Sequence, residues 1–296
     1  MRYGDLIKQH ILEDERFFVL TAENLGGIYY ILEDIKKNYL DTGIAEQTML
    51  GMAAGLALRN RIPIVHAISS FLLLRPFEFI RTDIGLPNLP VKLVGCLSGF
   101  LSEGNGPTHQ CIEDVSLIRS IPNINIFCPA DTQDMLLGLP AILKSESPYY
   151  IRYIQEENDV AHEKFEIGKA EIFGKGTDVA IITYGFLFRE ALKAKEKLES
   201  QGISVRVLNM RTLRPIDESA ILMACKECNL VVTLEDHLIE GGIFTIISEL
   251  LVRNQQIAKV LPLGLKKSFR PGLIKDILEY EGFSAEKITE KIISEM

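Results

Sequence analysis

Positive charge is in deficit: 32 lysines and arginines stand against 40 aspartates and glutamates, a formal charge of −8. With no arginine- or lysine-rich run, generic nucleic-acid binding is disfavoured, and an anionic small molecule would need locally placed basic residues. No stretch approaches the ~20 uninterrupted apolar residues of a membrane span. The opening Met1-Arg2-Tyr3-Gly4-Asp5 leads into an amphipathic pattern without a signal-type apolar run. A soluble, cytoplasmic protein is the expectation. Cysteine is scarce, and the five present are an odd number in apolar segments, which suits reduced thiols rather than a disulfide framework. Cys225-Lys226-Glu227-Cys228 has metal-ligand spacing but no second pair, and is read as structural. Internal repeats and low-complexity segments are also absent.

The 296 residues, 47% of them hydrophobic, are enough for two ordinary domains with their own cores. Short β-rich runs at 17–22, 62–68, 91–96, 124–127 and 149–152 alternate with helical patterns, the signature of parallel α/β layers. Asp131, three residues before Asp134, is placed to cap a helix running through Met135, Leu136 and Leu139. The polar stretch Gln155 to Lys164 reads as a linker. Beyond it, strands at 177–183, 205–209, 230–234 and 260–264 alternate with helices at 187–200, 216–226, 241–253 and 271–281. The fold class is therefore α/β, two domains, each a mostly parallel sheet flanked by helices.

Two motifs carry chemistry. Asp41-Thr42-Gly43-Ile44-Ala45-Glu46-Gln47 leads a lone carboxylate, Glu46, into a segment from Met49 to Leu58 too apolar to solvate it. Glutamate is common in a helix's first turn, where it complements the dipole, but here it needs a partner. Further on, the glycine-rich turn Gly104-Asn105-Gly106-Pro107-Thr108-His109-Gln110 delivers an imidazole just before a helix start. Either motif alone is weak, and most isolated histidines are structural.

Together, Gly-Ile-Ala-Glu-Gln and Gly-Pro-Thr-His-Gln at this separation resemble the transketolase family of thiamine diphosphate enzymes. The resemblance covers nearly the whole chain. It implies a pyrimidine-binding domain at 1–155, a linker at 156–172 and a transketolase C-terminal domain at 173–296. The family's diphosphate-binding domain carries Gly-Asp-Gly followed by Asn, which hold a divalent metal, and no Gly-Asp-Gly occurs in this chain. The resemblance is thus to the C-terminal half of a split transketolase. It implies thiamine diphosphate as cofactor, no metal ligand in this chain, and Mg²⁺ (or Ca²⁺) held mainly by a separate N-terminal subunit, in an α2β2 heterotetramer.

In that family a carboxyl group hydrogen-bonded to the pyrimidine nitrogen makes the aminopyrimidine basic enough to take the thiazolium C2 proton. Glu46 matches its position, and an acid in apolar surroundings keeps a proton more readily. Gly51 and Gly55 after it leave room for another helix, in the family an inter-subunit element. Ser69-Ser70-Phe71-Leu72-Leu73-Leu74-Arg75-Pro76-Phe77-Glu78-Phe79 resembles the family's apolar slot, with Phe71 placed to stack and Leu74 and Phe77 flanking. Leu74 stands where many relatives have a second aromatic. His109 would face the substrate carbonyl as donor or proton carrier.

Departures from the family concern the substrate. Asn105 replaces an Asp that binds a donor hydroxyl, and Leu97-Ser98-Gly99-Phe100-Leu101 lacks a histidine that helps hold donor phosphate. Arg152 matches an arginine that contacts substrate phosphate. Sugars and sugar phosphates are both open as substrates, as are nucleotide-linked and carboxylated acceptors. The leading expectation is transfer of a two-carbon ketol unit from a ketose to an aldehyde. The alternatives are an acyl-forming carboligase, resembling 1-deoxyxylulose-5-phosphate synthase or a 2-oxo-acid dehydrogenase β subunit, and a non-catalytic binding or regulatory subunit. His10, His66 and His162 carry no motif and are assigned to core or surface. His237, in a Glu-Asp-His segment read as a turn, is assigned a structural or interfacial role.

Overall fold

The computed structural model describes residues 1–157 and 160–296; positions 158 and 159 of the expected linker lie outside the described residues. Two sheets form, both mostly parallel, with helices on their faces. The first contains β1 (Phe17–Thr21), β2 (Tyr39–Asp41), β3 (Ile62–Ile68), β4 (Lys92–Cys96), β5 (Asn125–Phe127), β6 (Tyr149–Arg152) and β10 (Thr212–Arg214). Their order is β10-β5-β6-β4-β3-β1-β2, parallel except for the β10–β5 pair. The second contains β7 (Glu171–Phe173), β8 (Val179–Thr183), β9 (Val205–Asn209), β11 (Leu230–Leu238) and β12 (Val260–Leu265), in the order β12-β11-β8-β9-β7, with β7 antiparallel. β10 is therefore contributed to the first sheet from a segment that lies between strands of the second.

Strands covered on both faces read as continuous apolar runs, and β4 and β8 are buried at every position. The helix Glu46–Leu58 buries Met49, Leu50, Ala53, Ala54 and Ala57 against one face of the first sheet. Its outward side carries Gly51 and Gly55, around which nothing lies within 4 Å. Asp131 caps Thr132–Lys144 by accepting from Asp134 N, as its spacing predicts.

Glu235-Asp236-His237 is not a turn but the end of β11, buried throughout. Three polar side chains are tolerated there because each is satisfied. Glu235 accepts from Ile243 N and Phe244 N, Asp236 pairs with Arg152, and His237 accepts from Ser116 N through Nε2. His237 is thus structural, joining β11 to the helix Asp114–Arg119, and burial pushes its pKa down.

His162 clamps the two sheets' layers, bonding Asp131 Oδ2 at 2.8 Å and Glu171 Oε2 at 2.7 Å. Burial opposes its charge, but the bonds to these carboxylates outweigh it and push the pKa from 6.5 to about 9. A raised folded-state pKa contributes stability fully present below pH 6.5 and lost as pH rises towards 9. The shift, discounted for solvent screening, is worth about 1–2 kcal/mol. Thermal unfolding of the wild type should weaken between these pH values by this margin more than that of His162→Gln. Equal pH slopes for the two proteins would remove the charged clamp.

Candidate active site

Glu46 is the first residue of its helix, brought there by a tight turn after β2. Gly43 adopts φ +67°, a conformation that favours glycine, and its N–H donates to Asp41 Oδ1 at 2.8 Å. Glu46 is 5% exposed and, as its setting demands, partnered: Arg75 Nη1 donates to Oε1 at 2.7 Å. Its surroundings are therefore not wholly apolar, which corrects the sequence-based picture. Arg75 ends the short helix Ser69–Leu74 that follows β3, one turn beyond Phe71 and on the same side. Its guanidinium carbon lies 3.8 Å from the centre of the Phe71 ring.

Phe71 in turn meets His109 edge to face, with ring centres 4.9 Å apart. The turn before His109 depends on Gly106 at φ +79°, whose carbonyl accepts from the backbone N–H groups of His109 and Gln110. Thr108 Oγ1 engages His109 Nδ1 at 2.9 Å, and Nε2 makes no hydrogen bond among the described residues. Gln110 Nε2 anchors the turn to Phe269 O. Asn105 is exposed, and its amide nitrogen donates to Ser102 O at 2.8 Å, which leaves its oxygen to serve as an acceptor. Phe77 is half-buried and packs at the edge of the core, while Leu74 is 46% exposed.

The structure thus brings Glu46, Phe71 and His109 into one chain of contacts through Arg75. It does not bring Arg152 into that group. Arg152 is fully buried, donating to Asp114 through Nε and Nη2 and to Asp236 through Nη1. Burial disfavours its charge, but the two carboxylates hold its pKa well above the ordinary arginine value. Both carboxylates are already spent on it, and it serves as an ion locking β6 to β11 and the helix Asp114–Arg119. The remaining histidines are structural: His66 bonds Tyr3 Oη and is pushed down to about 3 by burial, and His10 bonds Leu6 O. Cys225 is buried and its thiol is pushed up to about 11 by burial, which makes it unreactive. Among the described residues no group of three or more His, Cys, Asp or Glu is placed to hold a metal ion, and no helix is long and apolar enough to cross a membrane.

Arg75 is the residue that sequence reasoning missed. The signal was present: Glu46 called for a partner, and Arg75 is the one basic residue in the run from Ser69 to Phe79. Its placement also tests the fit of an aminopyrimidine. A planar nitrogenous group already rests on the Phe71 face and donates to Glu46, so the slot has the shape and polarity for a flat heterocycle making the same two contacts.

Residues 2–158 match the transketolase pyrimidine-binding domain and residues 168–288 the transketolase C-terminal domain. A Methanocaldococcus jannaschii protein described as a transketolase C-terminal section is 33% identical over 302 residues, covering 99% of this chain and 95% of that protein. The 6-deoxy-6-sulfo-D-fructose transketolase subunit SqwH of a Clostridium species is 32% identical over 97% of this chain and 90% of its own length. A solved split-gene transketolase, in an inactive β4 tetramer, superposes with a TM-score of 0.89 at 29% identity, over 99% of this chain and 96% of that one. The chain belongs to the transketolase family of thiamine diphosphate enzymes and carries its pyrimidine-binding and C-terminal domains, the pair that makes up the C-terminal section of a split transketolase.

Proposed function

We propose that this chain is the C-terminal subunit of a cytoplasmic two-chain transketolase that moves a two-carbon ketol unit from a ketose donor to an aldehyde acceptor. The observation that carries the reading is the continuous contact from Glu46 through Arg75 and Phe71 to His109, set past the carboxyl ends of parallel strands where α/β proteins bind ligands. When bound, thiamine diphosphate supplies a nucleophilic carbon that no side chain offers. Phe71 gives its ring face to the aminopyrimidine, flanked by Phe77 and Leu74, and Glu46 shares a proton with the pyrimidine nitrogen. Arg75 occupies both contacts in this structure and must swing outward, which its 44% exposure permits. His109 offers Nε2 to the reacting carbonyl oxygen, and the side-chain oxygen of Asn105 accepts from a donor hydroxyl. A partner with the Gly-Asp-Gly segment holds the diphosphate and Mg²⁺, two copies of each chain forming an α2β2 assembly.

The test is reconstitution with such a partner, followed by product identification. A ketose donor should leave as an aldose two carbons shorter while the acceptor gains two carbons. Carbon dioxide release from a 2-oxo acid with acyl transfer to an aldehyde would replace this reading by the acyl-forming one, and no product with either donor type would leave a non-catalytic subunit.

A further inference from the structure

Beside the proposed site lies a cavity of about 500 Å³. Its walls are the segments that follow three strands of the first sheet, the adjacent β6 and β4 and, across β3, β1: Gln155 and Glu156 after β6, Leu97 after β4, and Glu23 and Asn24 after β1, with Glu103 also in the lining. This is the same edge of the sheet that carries Glu46, Phe71 and His109. The loop from Leu97 to Gln110 joins the two places directly, forming cavity wall at Leu97 and Glu103 and then delivering Asn105 and His109. Glu23, Leu97 and Glu103 hold left-handed backbone angles, φ +52°, +60° and +45°, so three strained residues shape one cavity.

No lysine or arginine is among the described residues that line it. Its polar side chains are carboxylates and carboxamides, with the Tyr153 hydroxyl and the Cys96 thiol beside them. Glu103 Oε1 accepts from Ile274 N at 3.3 Å, and Glu156 Oε2 accepts from Nη1 of Arg189, a residue outside the lining, at 3.4 Å. Tyr153 donates to Gln155 Oε1 at 3.0 Å, which leaves the Gln155 amide nitrogen to donate. A phosphate, sulfonate or carboxylate placed here would face the carboxylates of Glu23 and Glu103, while Arg189, outside the lining, is paired with Glu156. Hydroxyl groups, by contrast, find many acceptors and some donors.

We propose that this cavity receives the end of the sugar substrate remote from the reacting carbonyl, and that it selects an uncharged, hydroxyl-rich end over a phosphorylated one. The inference rests on the transketolase reading and adds the substrate class to it. Gln155, Glu103 and Glu23 then determine specificity by accepting from, or donating to, the terminal hydroxyls. Buried Arg152 takes no part.

The experiment compares kcat/KM of the reconstituted enzyme for a ketose and for the same ketose phosphorylated at its terminal carbon. The neutral sugar should be favoured by at least ~10-fold, since a like-charge penalty of this size is ordinary near carboxylates. Gln155→Arg should shift the ratio towards the phosphorylated sugar, chiefly through KM. A wild-type preference for the phosphorylated sugar, or a ratio that Gln155→Arg leaves unchanged, overturns the proposal while leaving ketol transfer intact. Should neither sugar react, the transfer reading fails and binding alone decides the cavity's role: tighter binding of the phosphorylated sugar by the wild type, or unchanged relative affinities in Gln155→Arg, overturns it equally.

Discussion

Glu46→Gln in the assembled enzyme should slow hydrogen–deuterium exchange at the cofactor's C2 by at least ~10²-fold, the scale of acid-base catalysis. The amide is nearly isosteric but cannot share a proton with a ring nitrogen, so the change removes the function while keeping the volume of a residue that is only 5% exposed. The substitution also weakens the contact with Arg75, which loses an ionic partner at 2.7 Å. Cofactor occupancy must therefore be saturating when exchange is read. His109→Ala should behave differently. His109 touches Phe71 edge-on and is one step further from Glu46, so C2 exchange should stay near the wild-type rate while ketol transfer falls by ~10²-fold or more with every donor. Wild-type exchange in Glu46→Gln would remove Glu46 from its role, and unchanged transfer in His109→Ala would remove His109 from the substrate.

Most of the architecture was legible because buried parallel strands write themselves as apolar runs. β3 (Ile62–Ile68) is read from sequence end to end, and the Asp131 cap marks its helix correctly. What escaped is short or locally misleading. β2, β7 and β10 have three residues each, too few for a period to show, and they exist because a neighbouring strand offers an edge. β11 reads five residues long but has nine, because Glu235, Asp236 and His237 look like a turn until their partners on other elements are known. The helix Ala285–Glu295, capped by Ser284, was not read although its signals were present.

The site follows the same division. Glu46, Phe71 and His109 come from two motifs and an aromatic run, and the fold links them, Glu46 through Arg75 to Phe71 and Phe71 directly to His109. Arg75 needed the geometry, since sequence could say that Glu46 required a partner but not which side chain would reach it. Arg152 shows the reverse. A match in position pointed to phosphate, whereas Asp114 and Asp236 claim its donors, and these carboxylates lie far from it in sequence. Long-range pairing of this kind is invisible to spacing.

On the proposed function this chain supplies the pyrimidine half of a shared thiamine diphosphate site, and the diphosphate and metal half comes from another polypeptide. Calorimetric titration with thiamine diphosphate and Mg²⁺, first on this chain alone and then with a partner carrying the Gly-Asp-Gly segment, addresses it directly. Little or no heat is expected from the chain alone, where Arg75 sits on Phe71 and Glu46 and no metal ligands are gathered among the described residues, and saturable binding is expected once the partner is present. Tight, metal-dependent binding by this chain alone would contradict it.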